Sequence, residues 1–413
     1  MAFLSLFFLL LSPDARSAPA AAPLRCEGPL RSFADALTCA DQLSPEILKA
    51  NSRLNTARLE VGARGQWRNP ELSLNTFAGS IAGSRQVETD LVLGVPIELG
   101  GKAGARRAVG EALVAQAEAE LLAARARVRS EMILGLHRLR QLKHEIEVVG
   151  ESVAAFTTLN KQYGSRSQLS PEQQISATVY RLAKSQSELR RADILDEVSS
   201  LNAYFKLTLN KGETELTGIL PPAPRTWPKL EDQNRPMASP RLVLAAAGSK
   251  LAEAGKARER SESWPTLTAG PSYRRQTQGT ASGDLLGFNV SLPLPLFNAN
   301  GAGRVAAAAN LEQSLATERL ELSSEEGQRE RLASTYRQSV ALLDTTLSHA
   351  EIERVHHEID GLFKKGVAPS ALVIEAHRSY LELELSRHAR ERKAIETLLA
   401  LYEIDGTILE KSL

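Results

Sequence analysis

The chain has 413 residues, with 50 Lys plus Arg against 49 Asp plus Glu. That balance leaves no basic excess to hold nucleic acid, and the length allows two ordinary domains. Aromatic residues are 5%, low for a compact core and typical of long Ala/Leu/Glu/Arg-rich helices.

Residues 1–20 read as a signal peptide. Ala2 to Leu11 is an apolar run too short to cross a bilayer, and Ala18-Pro19-Ala20 is a small-residue cleavage pattern, although no Lys or Arg precedes Arg16. No later segment has about eighteen consecutive apolar residues, so no transmembrane helix is expected. In an exported chain Cys26 and Cys39 can bridge. Cys26 as a lipid anchor is the alternative, and Arg25 stands where a lipid-attachment signal has a small residue. Within residues 21–43, Ser32 to Cys39 reads as a short amphipathic helix.

Residues 44–209 form the first large unit. Ser44-Pro45 starts a helix, with Ser as cap and Pro at the first helical position. It carries Ile47, Leu48, Leu54, Ala57 and Val61 and ends near Gly65. Glu71 to Phe77 is a strand with Leu72 and Leu74 on one face. After a Gly/Ser turn, Val87, Thr89, Leu91, Leu93, Val95 and Ile97 alternate with Glu88, Asp90, Gly94, Pro96 and Glu98. Period two over this length is a strand with one oily and one wet face. Gly100, Gly101 and Gly104 form a hinge into a helix of roughly sixty residues. Its apolar positions, from Val109, Leu113, Ala117 and Leu121 to Val153, Phe156 and Leu159, step by three and four as in a coiled coil. Tyr163-Gly164-Ser165 stops it. Ser170-Pro171 starts a return helix through Ile175, Val179, Leu182, Gln186, Leu189 and Val198 to Leu209. Residues 210–238, with Pro221, Pro222, Pro224, Pro228 and Pro236, read as a linker.

The pattern then starts again in residues 239–405, at an offset of roughly 195–200 residues. Ser239-Pro240 matches Ser44-Pro45, Pro265 matches Pro70, and Ser370 and Tyr380 match Ser170 and Tyr180. Leu267, Ala269 and Tyr273 mark a third strand; Leu286, Phe288, Val290, Leu292, Leu294 and Leu296 a fourth. Asn298 to Gly303, with Gly301 and Gly303, is a second hinge. One continuous helix then runs from Leu311 through Leu347 to Leu362, stopped by Phe363-Lys364-Lys365-Gly366. Residues 406–413 are a tail. The fold class is therefore mainly α, with very long antiparallel helices and four strands in two similar halves. Strands with one lipid-compatible face cross a membrane only in a closed barrel, and membrane barrels start at eight strands. Four strands per chain call for sister copies: three give twelve, two give eight. The alternative is a periplasmic coiled-coil scaffold without channel activity, whose alternating stretches are ordinary hairpins.

The chain resembles the TolC family of outer-membrane efflux proteins over nearly all of residues 21–405. Gly94 to Arg107 (GVPIELGGKAGARR) is similar to the cobalt–zinc–cadmium, CzcC-like component of RND efflux systems: Pro96, Glu98, Leu99, Gly100, Gly101, Lys102, Ala105 and Arg106 fit, while Ala103 stands where a basic residue is frequent. Ser291 to Arg304 has the family's looser form. The resemblance implies a homotrimer with a twelve-stranded barrel in outer-membrane lipid and a helical tunnel across the periplasm. The tunnel would dock to a periplasmic adaptor and, through it, to an inner-membrane RND-type pump. By chain order the tips are Tyr163 to Ser170 and Phe363 to Ser370. Tyr163, Gly164, Arg166, Ser170, Phe363, Lys364, Lys365, Gly366 and Ser370 are candidate adaptor contacts there, with Gly164 and Gly366 permitting tight turns. The family's acidic entrance ring makes Glu358, Asp360 and Glu375 candidate gate residues, since such a ring favours cations.

No catalytic set stands out. Gly101-Lys102 lacks the glycine spacing and following Ser/Thr of a phosphate loop, and HExxH is absent. Glu353-x-x-His356 has a di-iron spacing, but such sites need two copies and Phe156 stands at the matching place in the first half. His356 is expected to be solvated. His349, His357, His377 and His388 are assigned no role, and no enzyme activity, cofactor or metal is expected.

Overall fold

The computed structural model describes residues 26, 28–81, 83–230, 238–365 and 370–411. The signal-peptide reading of residues 1–20 and the tip residue Gly366 lie outside these. In chain order the elements are α1 (Phe33–Leu43), α2 (Pro45–Arg64), β1 (Glu71–Ile81), β2 (Ser84–Glu98), α3 (Lys102–Gly164), α4 (Pro171–Leu209), α5 (Glu213–Leu216), α6 (Pro240–Glu262), β3 (Thr266–Gln278), β4 (Ala281–Ser291), α7 (Gly301–Thr345), α8 (His349–Lys364) and α9 (Ser370–Ile404).

Helix starts follow the sequence signals. Pro45, Pro171 and Pro240 occupy first-turn positions, where a missing N–H costs no helical bond. Ser170 accepts from the Gln173 N–H while Gln173 reaches back to the Ser170 N–H, a reciprocal cap. At about 1.5 Å per residue, the 63 residues of α3 span roughly 95 Å. The apolar steps read along this helix point inward: Val109, Ala117, Leu121, Ala124, Val128, Met132, Leu136, Leu139, Leu142, Val149, Phe156 and Leu159 are buried. Against them pack α1, α2, α4, α6 and α9. Cys26 and Cys39 form a disulfide, which secures the segment ahead of α1 and leaves no thiol for a lipid.

Four expectations need correction. The fourth strand runs from Ala281 to Ser291 and does not continue to Leu296. Pro293 and Pro295 lack the N–H a ladder requires, so the chain leaves the sheet before them. The second long helix is broken: α7 ends at Thr345 and α8 begins at His349. Ser348 and Glu351 form a new cap across the break, with the Ser348 N–H donating to Glu351 Oε2 at 2.8 Å. Arg387 of α9 completes it, donating to the Leu343 and Leu347 carbonyls and to Thr346 Oγ1. The Pro-rich stretch is also no free linker. Leu216 and Ile219 are buried in the main core, and the Tyr336 hydroxyl donates to the Pro228 carbonyl at 2.7 Å. Finally, the apolar stripe of α4 has no cover in its upper half: Ile175, Val179, Leu182 and Leu189 are exposed, whereas Tyr180, Ile194, Val198 and Phe205 are buried.

The strands form one antiparallel sheet in the order β1-β2-β3-β4. Gly83 and Gly279, both with positive φ, sit at the two hairpin turns. β1 and β4 are edges, paired on one side only. Among the described residues the strands pack chiefly on one another, and helix-to-strand bonds such as Lys102–Thr266 and Arg106–Glu98 lie at the hinge end.

Candidate membrane sheet, hinges and helical tip

Register decides what each face of the sheet offers. Leu72 lies beside Leu93, Leu74 beside Leu91, Leu91 beside Tyr273, and Tyr273 beside Leu286. One row up, Ile97 lies beside Leu267, Val95 beside Ala269, Ala269 beside Val290, and Pro271 beside Phe288. These side chains make one apolar surface across all four strands. Leu72, Leu91, Leu93, Val95, Ile97, Leu286, Phe288 and Val290 are all exposed in the single chain. A contiguous patch of this kind needs a partner medium. The opposite face carries Asn75, Glu88, Asp90, Ser272, Arg274 and Asn289, with Phe77 and Leu285 as exceptions. Arg274 joins Glu88 and Asp90 at 2.8 and 2.7 Å. Strands of 11 to 15 residues exceed the roughly 9–11 that a tilted membrane strand needs.

The hinge residues are not equivalent. Gly100 and Gly101 have φ of 73° and 71°, and a Cβ on Gly100 would fall 2.4 Å from Trp264 Cδ1. Gly104, Gly301 and Gly303 are ordinary helical residues. At the second hinge the left-handed position belongs to Asn300, whose side-chain amide donates to the Glu259 backbone and carboxylate. A Cβ on Gly303 would meet Asn300 Oδ1 at 2.3 Å and Glu259 Oε2 at 2.8 Å, so a side chain there would push the Asn300–Glu259 pair apart. The polar residues of the resembling motif build this joint. Arg106 grips Glu98 through two bonds of 2.8 and 2.9 Å and also donates to the carbonyls of Arg64 and Gln66. It thereby ties the end of β2 to the end of α2 and caps carbonyls that the helix leaves open. Lys102 reaches Glu262 at 3.3 Å, linking α3 to α6.

At the first tip, Tyr163 joins Phe156, Tyr180 and Val373 in a small separate cluster, and the Arg166 guanidinium lies 5.4 Å over its ring. Gly164 needs no glycine: it ends α3 without positive φ, and a Cβ would meet nothing within 4 Å. Ser170 caps α4. Phe363 and Lys364 close α8, Lys365 follows in an exposed turn, and Ser370 opens α9. The candidate gate acids do not converge within one chain. Glu358 pairs with Arg354, and Glu375 with Arg378 at 2.9 Å, both exposed; Asp360 is half-buried.

A polar spine inside the bundle went unread in the sequence. His356 is buried, stacked on Tyr380 and 3.1 Å from His377 Nδ1, so the expectation of a solvated ring fails. Burial holds His377 at about 4 and His137 likewise at about 4. His349 and His388, given no role from sequence, flank Glu384 together with His144. His357, by contrast, is exposed. Burial works against ionisation of Glu384, yet the nearby imidazoles of His144 and His349 bring it down to about 2. Burial likewise lowers His349, and Glu384 and Glu391 more than offset it, raising it to about 9. A signal existed: His377, Tyr380, Glu384, His388 and Glu391 step by three and four, the spacing of a buried seam.

No protein-family model and no curated protein matches the sequence. Solved structures do. The Campylobacter jejuni CmeC outer membrane channel is similar at 11% identity with a TM-score of 0.67, covering 92% of this chain and 87% of that one. The outer-membrane channel OprN is similar at 15% identity and 0.68, covering 90% and 89%. CusC, described in connection with transmembrane channel formation, is similar at 16% identity and 0.60, covering 95% and 98%. The chain thus has the fold of outer-membrane channel subunits over nearly its whole length.

Proposed function

We propose that the chain is one subunit of a passive outer-membrane exit duct in a tripartite efflux system. The observation that carries this is the sheet: a continuous exposed apolar face, a polar face behind it, and two edges without partners. In lipid each unpaired backbone group costs several kcal/mol, so a four-stranded sheet must close with sister sheets. A homotrimer of twelve strands satisfies the edges. The exposed stripe of α4, Ile175, Val179, Leu182 and Leu189, supports lateral packing of neighbouring copies into a helical tunnel. The tips at 163–170 and 363–370 would meet a periplasmic adaptor, which hands over substrate from an inner-membrane pump that supplies the energy. Glu358, Asp360 and Glu375 would line the entrance only when symmetry brings copies together. Divalent metal cations are the cargo suggested by the Gly94–Arg107 resemblance alone, because the polar residues of that motif build a joint in the structure. No observation favours an enzyme.

The test is direct. Outer-membrane fractions should contain a heat-modifiable trimer, and the detergent-purified protein should give discrete conductance steps in a planar bilayer. A monomer that stays soluble without detergent would overturn the reading. A membrane trimer that passes no current would favour the scaffold.

A further inference from the structure

Three helices bring three imidazoles to one buried carboxylate. His144 of α3 places Nε2 3.7 Å from Glu384 Oε2, and His388, one turn along α9 from Glu384, places Nε2 3.8 Å from the same oxygen. His349, the first residue of α8, places Nδ1 at 2.6 Å. Ligand atoms of His144, His349 and Glu384 all lie within 4.8 Å of one another. The Glu384 side chain has no exposure, and its second oxygen, Oε1, has no hydrogen-bond partner; neither has His144 Nε2.

Each ring also has a carboxylate behind it. His388 Nδ1 meets Glu145 Oε1 at 2.8 Å, itself held by Arg138. His349 Nε2 lies 3.9 Å from Glu391, which Arg140 holds, and His144 Nδ1 lies 3.9 Å from Glu147. For His388 the Glu145 hydrogen bond fixes the tautomer and turns the Nε2 lone pair inward, the arrangement metal-bound histidines use, while the carboxylates behind His349 and His144 stand at ion-pair distance.

We propose that His144, His349 and Glu384 bind one divalent transition-metal ion of the zinc type, with His388, whose Nε2 lies 3.8 Å from Glu384 Oε2, swinging in as the fourth ligand. Three imidazole nitrogens and one carboxylate oxygen match the ligand preferences and four-fold coordination of zinc. The ion would join α3, α8 and α9 at the break where α8 begins, fixing the short helix that leads to the second tip. The inference stands whether or not the assembled chains conduct.

The experiment uses full-length detergent-purified protein, stripped with chelator and titrated with Co²⁺ and then Zn²⁺. One Co²⁺ per chain should bind with the intense visible absorption of a four-coordinate ion, and Zn²⁺ should displace it. Glu145→Gln should weaken binding about 10–100-fold, and His144→Ala and Glu384→Gln by more. His357→Ala, on the exposed side of α8, should change nothing. His144 lies at the bundle margin with a third of its side chain exposed, so its variant decides the matter if Glu384→Gln does not fold. Absence of the cobalt absorption, or affinity unmoved by His144→Ala, overturns the proposal.

Discussion

Leu286 is the sixth of the eleven residues of β4 and is 89% exposed in the single chain. At about 3.3 Å per residue β4 is roughly 36 Å long, and a tilt of about 45° brings its height to about 26 Å, close to the apolar band of an outer-membrane barrel. Leu286 would then sit at the bilayer midplane, facing lipid. Leu286→Arg should cost about 2–4 kcal/mol per chain. The copies in a trimer are far apart, so the terms add to about 6–12 kcal/mol per barrel. Asn289→Arg, on the opposite face of the same strand, should stay within about 0.5 kcal/mol. Both variants can be refolded into lipid vesicles and unfolded in urea, with the heat-modifiable band as readout. In a water-soluble scaffold, arginine at so exposed a position would be harmless or helpful to solubility. Equal effects from the two variants, or a Leu286→Arg protein as stable as the parent, would refute the lipid-facing assignment.

Other outcomes follow from the helical part. Reduction of Cys26–Cys39, or Cys39→Ser, should destabilise the fold by about 3 kcal/mol, the closure entropy of a loop of this size, and intact-mass measurement of the mature chain should show no acyl group. Arg387→Ala removes the donor that serves two carbonyls and a hydroxyl at the α7–α8 break, so it should cost about 1–3 kcal/mol. Its signature should be faster amide exchange at the start of α8, with α3 unaffected. Acid should weaken the bundle through His137 and His377. Their unfolded rings take a proton near 6.5 and their folded rings only near 4, so within that window the unfolded state binds more protons. The stabilisation is complete above about pH 6.5 and lost as pH falls towards 4. It amounts to at most roughly 3 kcal/mol for each ring. His137→Leu should move the acid midpoint of unfolding downward; an unchanged midpoint would count against this account.

Much of the fold could be read in the residues because local chemistry and tertiary packing agree there. Alternation in Val87–Ile97 is visible without neighbours, and the register only adds which side chains share the face. Ser44, Ser170 and Ser239 each precede a proline, and each stands immediately before a helix. The failures arise where two signals conflict or where the decisive partner is remote. The apolar steps run straight through Leu347, which hid the cap formed by Ser348 and Glu351; only Arg387, some forty residues on, makes the break stable. Leu292, Leu294 and Leu296 continue the alternation of β4, but Pro293 and Pro295 remove its donors. Ile175 and Leu182 have seam spacing with no seam inside the chain. The histidines were the deepest miss: polar residues at core spacing look like solvated faces until α3, α8 and α9 are brought together.

The exposed apolar surfaces of this chain occur in two kinds of structure, and the difference bears on what covers each. On α4 the exposed residues recur at helical spacing, so a second helix is their natural cover, and water can still serve the polar residues on either side. On the sheet they recur at every second residue over four strands, and the strands also leave edge N–H and C=O groups open. A helix laid on that face would bury the side chains but not pair the edges; another sheet beside it would pair the edges but leave the face bare. Lipid together with sister strands answers both demands. One rotation axis can do this for the sheet and, through the hinges at Gly100–Gly101 and Asn300, set the α4 stripe of one copy against the helices of the next. A soluble scaffold would need a separate partner for each surface. The joint made by Arg106, Glu98 and Lys102 would then matter to the proposed assembly: by holding strand to helix it would let a single symmetry serve both parts.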